Sequence, residues 1–311
     1  MKTQLPSFLS FFILFALVSC MQEEHPSHRQ ELFTPSAHLR QEAAFHAAVS
    51  LPTQEFGAII GPYVKDNLQV FFIEGEQVDD RNYLTLEEAL KKGYVKVNES
   101  GNVQQLSVDN NSDEYIFIHS GDIVKGGKQD RTLQQDLVLE PRANGIPLAS
   151  FCVEQNRWSA RGNASVGHFG ESKNLLPSRE LKFAANYIKR QDQVWENVSK
   201  QQVKLNEKLS EINDYDVEVE DEISASSLEL SLENEELEKA KTALHDHFLP
   251  LLGKHPNATG FVYAVNGEIY GADVYHSTQL FAKLWPKLLE SAIVESVSEK
   301  EAGKSYANLA P

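Results

Sequence analysis

This chain of 311 residues is poor in sulfur, in basic side chains and in long apolar runs, and each shortage removes a class of explanation. It carries two cysteines. Cys20 closes an N-terminal leader, so once it is acylated Cys152 is left as the single thiol and no intrachain disulfide can form. The fold must rest on its own core, and the length is ample for one large domain or two modest ones. Lys and Arg number 29 against 45 Asp and Glu, a formal net charge of −16. An acidic chain without a basic stripe does not suit a phosphate backbone, so nucleic acid is not an expected partner. The apolar run over residues 8–18 is too short to cross a bilayer as a helix. Metal-ligand spacing is also missing: His245 and His247 stand two apart on a helical stretch and point to different sides, so no metal or other cofactor is expected.

The leader that is present has the form of a bacterial lipoprotein signal over residues 1–19. Lys2 precedes the apolar run, and Leu17, Val18, Ser19 and Cys20 resemble a lipobox, in which the thiol of Cys20 accepts the lipid. The alternative is an ordinary signal peptide with an incidental cysteine. Residues 20–50 are polar and weakly patterned, as a tether between lipid and domain would be. Glu23 and Glu24, close to the acylated cysteine, resemble surface-export signals of some envelope lipoproteins. The expected location is the cell envelope, held to the outer membrane by lipid, on its periplasmic side or at the surface.

A single domain is expected over 51–297, with a disordered tail at 298–311. β-Prone runs follow one another from about residue 57 to 154, separated by Gly, Asn and Asp clusters, and crossover helices are missing, which favours antiparallel hairpins over a doubly wound sheet. Thr85 and Glu88 form a capping box for a short helix that stops at Gly93. Two amphipathic helices are expected, over about 178–211 with Val194, Val198, Leu205, Leu209 and Ile212 on one face, and over about 232–252 with Leu237, Ala240, Leu244, Phe248 and Leu251. Between Glu211 and Glu238 lie twelve acidic residues and no Lys or Arg, which account for most of the charge imbalance. Like-charge repulsion makes a solvated, mobile loop at 211–238 the expected state. Asn266 and Gly267 between apolar runs signal a hairpin, and Ser277 can cap a last helix containing Pro286. The fold class is therefore α+β: an antiparallel β core, a helical hairpin, then a C-terminal β-hairpin and helix.

Chemistry-bearing residues concentrate over 114–158. Lys125, Lys128 and Arg131 surround the Gly126–Gly127 turn, where exposed backbone N–H groups and cations can hold a phosphate or carboxylate. It is not a Walker A loop, because Gly127 stands where that motif needs Lys and no Ser or Thr follows. A solvated hairpin loop is the plainer alternative. In the strand ending at Glu154, alternation sets Ser150, Cys152 and Glu154 on one face and Phe151 and Val153 on the other. Glu154 can pair with Arg157 beside the aromatic platform of Trp158, as a site or as a structural ion pair. Cys152 has no His in an obvious partner motif, and a buried, inert thiol is its ordinary fate.

With SGDIVKGGKQDR, IPLASFCVEQNRW, VWENVSK around Trp195, and GEIYGADVY followed by LFAKLWPKLL, the chain resembles bacterial domains named for their association with ADP-ribosylglycohydrolase and rhodanese-phosphatase proteins. The likeness covers about residues 55–295. It implies one domain with Lys128, Gln129, Arg131, Cys152, Glu154, Arg157 and Trp158 as its signature and Asp273 in the last hairpin, and it implies no established activity. Asn156 stands where the family usually has Gly, and Asn tolerates the same left-handed backbone. Three readings remain: a lipid-anchored binding or accessory module that holds an anionic small molecule or partner segment at Lys128, Gln129, Arg131, Arg157, Trp158 and Asp273; a hydrolase or transferase acting on a phosphate-containing, ADP-ribose-like substrate with Glu154 as acid or base; and a purely structural ion-pair network.

Overall fold

The computed structural model describes residues 57–301, apart from 103, 161–166 and 168. The leader, Cys20, the 20–50 tether and the end of the C-terminal tail lie outside the described residues. The architecture is α+β, as the sequence led us to expect.

Both ends of the domain build one antiparallel sheet in the order β1 (Ala58–Lys65), β2 (Leu68–Glu74), β12 (Ala258–Val265) and β13 (Glu268–Val274). The central strands β2 and β12 are apolar along most of their length because both faces are covered. Leu68, Val70 and Phe72 join the main core, while Phe71, Ile73 and Val262 form a smaller cluster on the other face. Asn266 and Gly267 adopt φ of 56° and 87°, the two left-handed positions of the tight turn that the Asn-Gly pair signals.

A second sheet runs in the order β11 (Phe169–Gly170), β7 (Ile123–Gly126), β8 (Arg131–Leu133), β10 (Ile146–Cys152), β5 (Gln105–Asn110) and β4 (Val95–Asn102). Its two outer strands meet, so the sheet nearly closes around Val97, Leu106, Val124, Leu133, Leu148 and Phe169. The third sheet, β3 (Tyr83–Thr85), β6 (Tyr115–Ile118) and β9 (Leu137–Leu139), contains the parallel pair β3–β6. Helix α1 (Leu86–Lys91) opens with the capping box: the Glu88 N–H donates to Thr85 Oγ1 at 3.2 Å and the Thr85 N–H to the Glu88 carboxylate at 2.9 Å. Gly93, at φ 67°, follows its end.

The expected helix over 178–211 is two helices. α2 (Arg179–Phe183) passes into a π-helical turn, Ala184–Ile188, and Lys189 then takes a left-handed φ of 55° before α3 (Gln191–Asn213) begins. No Gly or Pro marks the break, so nothing in the local composition announces it. Val194, Val198, Leu205 and Leu209 bury as the periodicity requires, whereas Ile212 near the helix end is exposed.

The acidic stretch is not the solvated loop that its charge suggested. Val217 and Val219 are buried, α4 (Leu228–Leu232) forms inside it, and Asn234 caps α5 (Glu235–Phe248). The reason lies in the alternation over residues 216–219: Asp216 and Glu218 face solvent while the two valines face the core, so the charges need not approach one another. After a 3-10 turn (Leu249–Lys254), the last hairpin leads into α6 (Thr278–Ser298), capped by Ser277 and carrying Pro286 in its interior. α6 is the central helix; from Ser291 to Ser298 every residue is buried. Among the described residues no helix is long and apolar enough to cross a membrane.

Candidate functional site

The glycine turn and the carboxylate-bearing strand meet in space, although some two dozen positions separate them in the sequence. β10 ends at Cys152, and Val153 N–H donates to the Asp130 carbonyl at 3.0 Å, which ties the chain after β10 to the loop between β7 and β8. Asn156, at φ 69°, turns the chain back as a glycine would, so that Arg157 reaches Glu154. The guanidinium grips the carboxylate with two parallel bonds, Nε to Oε1 at 2.6 Å and Nη2 to Oε2 at 2.7 Å. The Asp130 N–H adds a donor to Oε2 at 2.9 Å and the Ser224 hydroxyl another to Oε1. A carboxylate offers about four acceptor positions, and here four donors fill them.

The remaining groups lock the same clasp. Arg157 also donates to the Gly126 and Gly127 carbonyls at 3.1 and 3.2 Å. Asp130 accepts from the Gly126 N–H at 2.8 Å and from the Ser227 hydroxyl at 3.0 Å, so two serines of the acidic stretch complete the network. Gln129 donates to the Glu154 carbonyl at 2.9 Å. Gly127 is required by packing as well as by its φ of 53°, since a Cβ would stand 2.3 Å from the Phe169 ring. Burial alone would push the Glu154 carboxyl up, but Arg157, Ser224 and the Asp130 N–H together hold it below the usual range. Glu154 is 0% exposed and stays ionised, so in this geometry it holds the turn rather than exchanging protons.

The other signature residues divide between interior and surface. Arg131 is buried, with Nη1 on the Gln129 carbonyl at 3.0 Å and Nη2 3.8 Å from Glu99; its Nε and Nη2 have no hydrogen-bond partner. Ser150, Phe151 and Cys152 are all buried, so the end of β10 has no solvent-facing side. Burial pushes the Cys152 thiol up to about 11, which leaves it protonated and unreactive at neutral pH. Lys125 is drawn to Glu233 and Glu229. Lys128 and Trp158 lie at the surface, the ammonium 5.1 Å from the indole ring centre and Trp158 55% exposed.

Asp273 is not part of the clasp. It lines a cleft of about 160 Å³ with His119 and Ser120 after β6, Lys182 on α2, Asn186 in the π-helical turn, and Tyr263 and Gly271 on the last hairpin. Three irregularities of backbone meet here. The register of β12 and β13 shifts between Tyr263 and Ala264, the π-helical turn carries Asn186, and Gly271 lies so close that a Cβ would stand 2.6 Å from the Tyr263 ring. Bulges and π-turns re-aim side chains and recur beside functional sites.

Of the ionisable groups of the cleft, His119 and Lys182 are loosely partnered, while Asp136, also in the lining, accepts from the Ser120 N–H at 2.7 Å. His119 Nε2 stands 3.5 Å from Asp273, while its Nδ1 is buried without a hydrogen-bond partner. Burial alone would lower the imidazole, but the Asp273 carboxylate outweighs it and the net direction is up, so the ring favours its cationic form. Asp273 moves the opposite way: burial would raise it, and His119 holds it below the carboxylate range. Behind the cleft wall the Tyr263 hydroxyl donates to Glu295 at 2.6 Å, and the Arg179 N–H donates to the other oxygen at 2.7 Å. Burial pushes the Glu295 carboxyl up to about 7. The Lys182 ammonium is 3.4 Å from the Tyr263 hydroxyl and, among the described residues, has no carboxylate within ion-pair distance. Asn186 Oδ1 is buried and without a partner. Sequence reasoning singled out Asp273 alone of this group. Glu295 was the available signal, a carboxylate in the otherwise uncharged helical run over 291–298.

Among the described residues no group of three or more His, Cys, Asp or Glu side chains is arranged to hold a metal ion. No curated protein and no solved structure matches the chain. One family model does, over residues 58–310, which takes in both the clasp and the cleft. By that match across most of its length, the chain belongs to the family of the ARG and Rhodanese-Phosphatase-superfamily-associated Protein domain.

Proposed function

We propose that this protein is a lipid-anchored accessory module of the bacterial envelope that binds a small anionic molecule, with the cleft at Asp273 as its seat and the Glu154–Arg157 clasp as its scaffold. The observation that carries this reading is the contrast in partnering. Arg157 is fully engaged inside the clasp, whereas Lys182 lines an open cleft and, among the described residues, forms no ion pair with Asp136 or Asp273 of the same lining, and His119 of that lining favours the cation. A carboxylate or phosphate group at the Lys182 end would neutralise that ammonium. The cavity is smaller than the roughly 300–1,000 Å³ that takes a drug-sized ligand, so the ligand is compact.

The test uses protein lacking residues 1–20 and a thermal-shift screen against inorganic phosphate, acetate and other short carboxylates. A rise in Tm that disappears in Lys182→Ala supports the cleft. A rise that survives Lys182→Ala and disappears in Lys128→Ala supports a second reading, in which the half-buried Lys128 and the exposed Trp158 meet an anionic partner segment. The anchor is tested on the full chain: Cys20→Ser is expected to move the protein from the membrane fraction to the soluble fraction and to abolish incorporation of labelled fatty acid.

A further inference from the structure

We propose that the π-helical turn between α2 and α3 is a membrane-contact surface, where Tyr187 and Ile188 enter the headgroup layer of an anionic lipid surface and the flanking cations meet its phosphates. The inference rests on the lipid-anchored reading and adds a second, non-covalent contact to it. It does not depend on what the cleft binds.

Exposure is the first ground. Among the described residues Tyr187 is the most exposed large apolar side chain, at 77%, and Ile188 next to it is 38% exposed. Single apolar residues scattered over a surface need no explanation, and the other exposed ones here stand alone in the chain. Tyr187 and Ile188 are adjacent, and the half-buried Phe183 stacks on Tyr187 with ring centres 5.3 Å apart, so the three form one patch. The backbone holds that patch outward. Ala184 and Ala185 are buried in the main core beneath it. The Lys189 N–H reaches back five residues to the Ala184 carbonyl at 2.9 Å, and Lys189 takes its left-handed φ of 55° without being glycine. π-Turns and left-handed residues other than glycine carry strain, and they gather where a segment makes a functional contact.

Charge is the second ground. The chain is formally −16, yet from Arg179 to Asp192 four cations, Arg179, Lys182, Lys189 and Arg190, stand against two carboxylates, Glu180 and Asp192, a local excess of two positive charges. Arg179 pairs with Glu180 at 3.2 Å and Arg190 with Asp192 at 2.5 Å, so the excess resides on Lys182 and on the exposed Lys189. An aromatic and an aliphatic tip beside Lys and Arg is the composition of an interfacial contact: the apolar ends enter and the cations stay with the phosphates. A stable protein interface takes roughly 800 Å² from each partner, more than Phe183, Tyr187 and Ile188 together offer. So small a patch binds weakly by itself. A domain already tethered by lipid meets the bilayer at an effective concentration on the order of millimolar, and a weak contact is then enough to set its orientation. Asn186 of the cleft lining directly precedes Tyr187, so the docked face adjoins the cleft.

The experiment measures cosedimentation of protein lacking residues 1–20 with vesicles of phosphatidylethanolamine and phosphatidylglycerol in equal parts, and with vesicles of phosphatidylcholine alone. Association with the anionic vesicles is expected, weakening as salt is raised. Replacing both apolar tips, Tyr187→Ser with Ile188→Ser, is expected to lower the partition coefficient roughly tenfold. Lys189→Glu is expected to lower it on the anionic vesicles and not on the neutral ones. Association that survives the double substitution, with circular dichroism showing an intact fold, overturns the placement of the contact. Equal association with neutral vesicles overturns the role of the cations. Absence of association with either vesicle overturns the proposal and leaves the anchor to be judged by the Cys20→Ser fractionation alone. Self-association that the double substitution abolishes, without vesicle binding, also overturns it and gives the face to a second copy of the chain.

Discussion

The clasp and the cleft are built from the same kinds of side chain and differ in how completely those side chains are partnered. In the clasp, Arg157, Ser224 and the Asp130 N–H fill every acceptor position of Glu154, and the carboxyl is held below its usual range. Behind the cleft wall, Glu295 receives only the Arg179 N–H and the Tyr263 hydroxyl, burial dominates, and the carboxyl rises to about 7. A buried charge that is fully satisfied fixes geometry, and one that is incompletely satisfied keeps a proton available near neutral pH. Carboxylates and guanidinium groups in one short segment therefore do not by themselves mark a reactive site. The groups left without partners do.

The largest effect should come from breaking the clasp. Arg157→Ala leaves Glu154 and Asp130 buried with fewer donors and should destabilise the protein by roughly 3–5 kcal/mol, the range for removing one partner of a buried pair. Lys at the same position cannot reproduce the parallel pair of bonds and should fall between wild type and Ala. Urea denaturation measures both. A loss below about 1 kcal/mol, as for an exposed surface pair, would remove the distinction between the two regions.

The cleft should show itself through pH. Glu295 has a folded pKa of about 7 against an ordinary 4.5, so between those values the folded state retains a proton that the unfolded chain has released. Stability must then fall as pH rises across that window, by about 3 kcal/mol in all for a shift of this size at a fully buried carboxyl. His119 adds in the same direction, because a raised imidazole stabilises at low pH and ceases to do so as pH passes its folded value. Glu154 and Asp273, both lowered, act at the acid end, where stability is lost as pH falls through their folded values. Glu295→Gln should flatten the fall across neutrality and be the more stable protein at pH 8. Denaturation midpoints of the two proteins at pH 5 and pH 8 decide the matter, and parallel curves would contradict it.

How far the sequence revealed these regions depended on how local their causes are. The capping box at Thr85, the Asn266–Gly267 turn and the left-handed Asn156 are set by a few adjacent residues, and each was legible. The pairing of Glu154 with Arg157 was legible as a possibility for the same reason, since only Gln155 and Asn156 lie between them. What completes the clasp was not, because Ser224 and Ser227 come from an acidic stretch whose charge concealed its inward valines. The cleft was least legible. Its groups come from positions 119, 136, 182, 186, 263 and 273, with Glu295 behind Tyr263, joined only when the last hairpin and α6 pack back on the domain, and its backbone irregularities have no compositional mark.

The smallest effect should come at the outer edge of the clasp, where Lys128 and Trp158 are the signature residues left facing solvent. An ammonium over an indole at the surface contributes about 0.5–1 kcal/mol, so Lys128→Ala, at a half-buried position beside the exposed Trp158, should cost about that and should leave the pH dependence of stability intact, since neither Glu295 nor His119 touches it. Trp158→Ala should behave similarly, and together the two should be less than additive, because each removes the same contact. A double-mutant cycle in urea measures that coupling. If either substitution instead costs as much as Arg157→Ala, the surface pair is part of the buried network. If both cost little but lower the affinity for an anionic partner, the pair is the docking edge that the second reading describes, and scaffold and contact surface meet at Arg157 and Trp158, neighbours in the chain with opposite exposure.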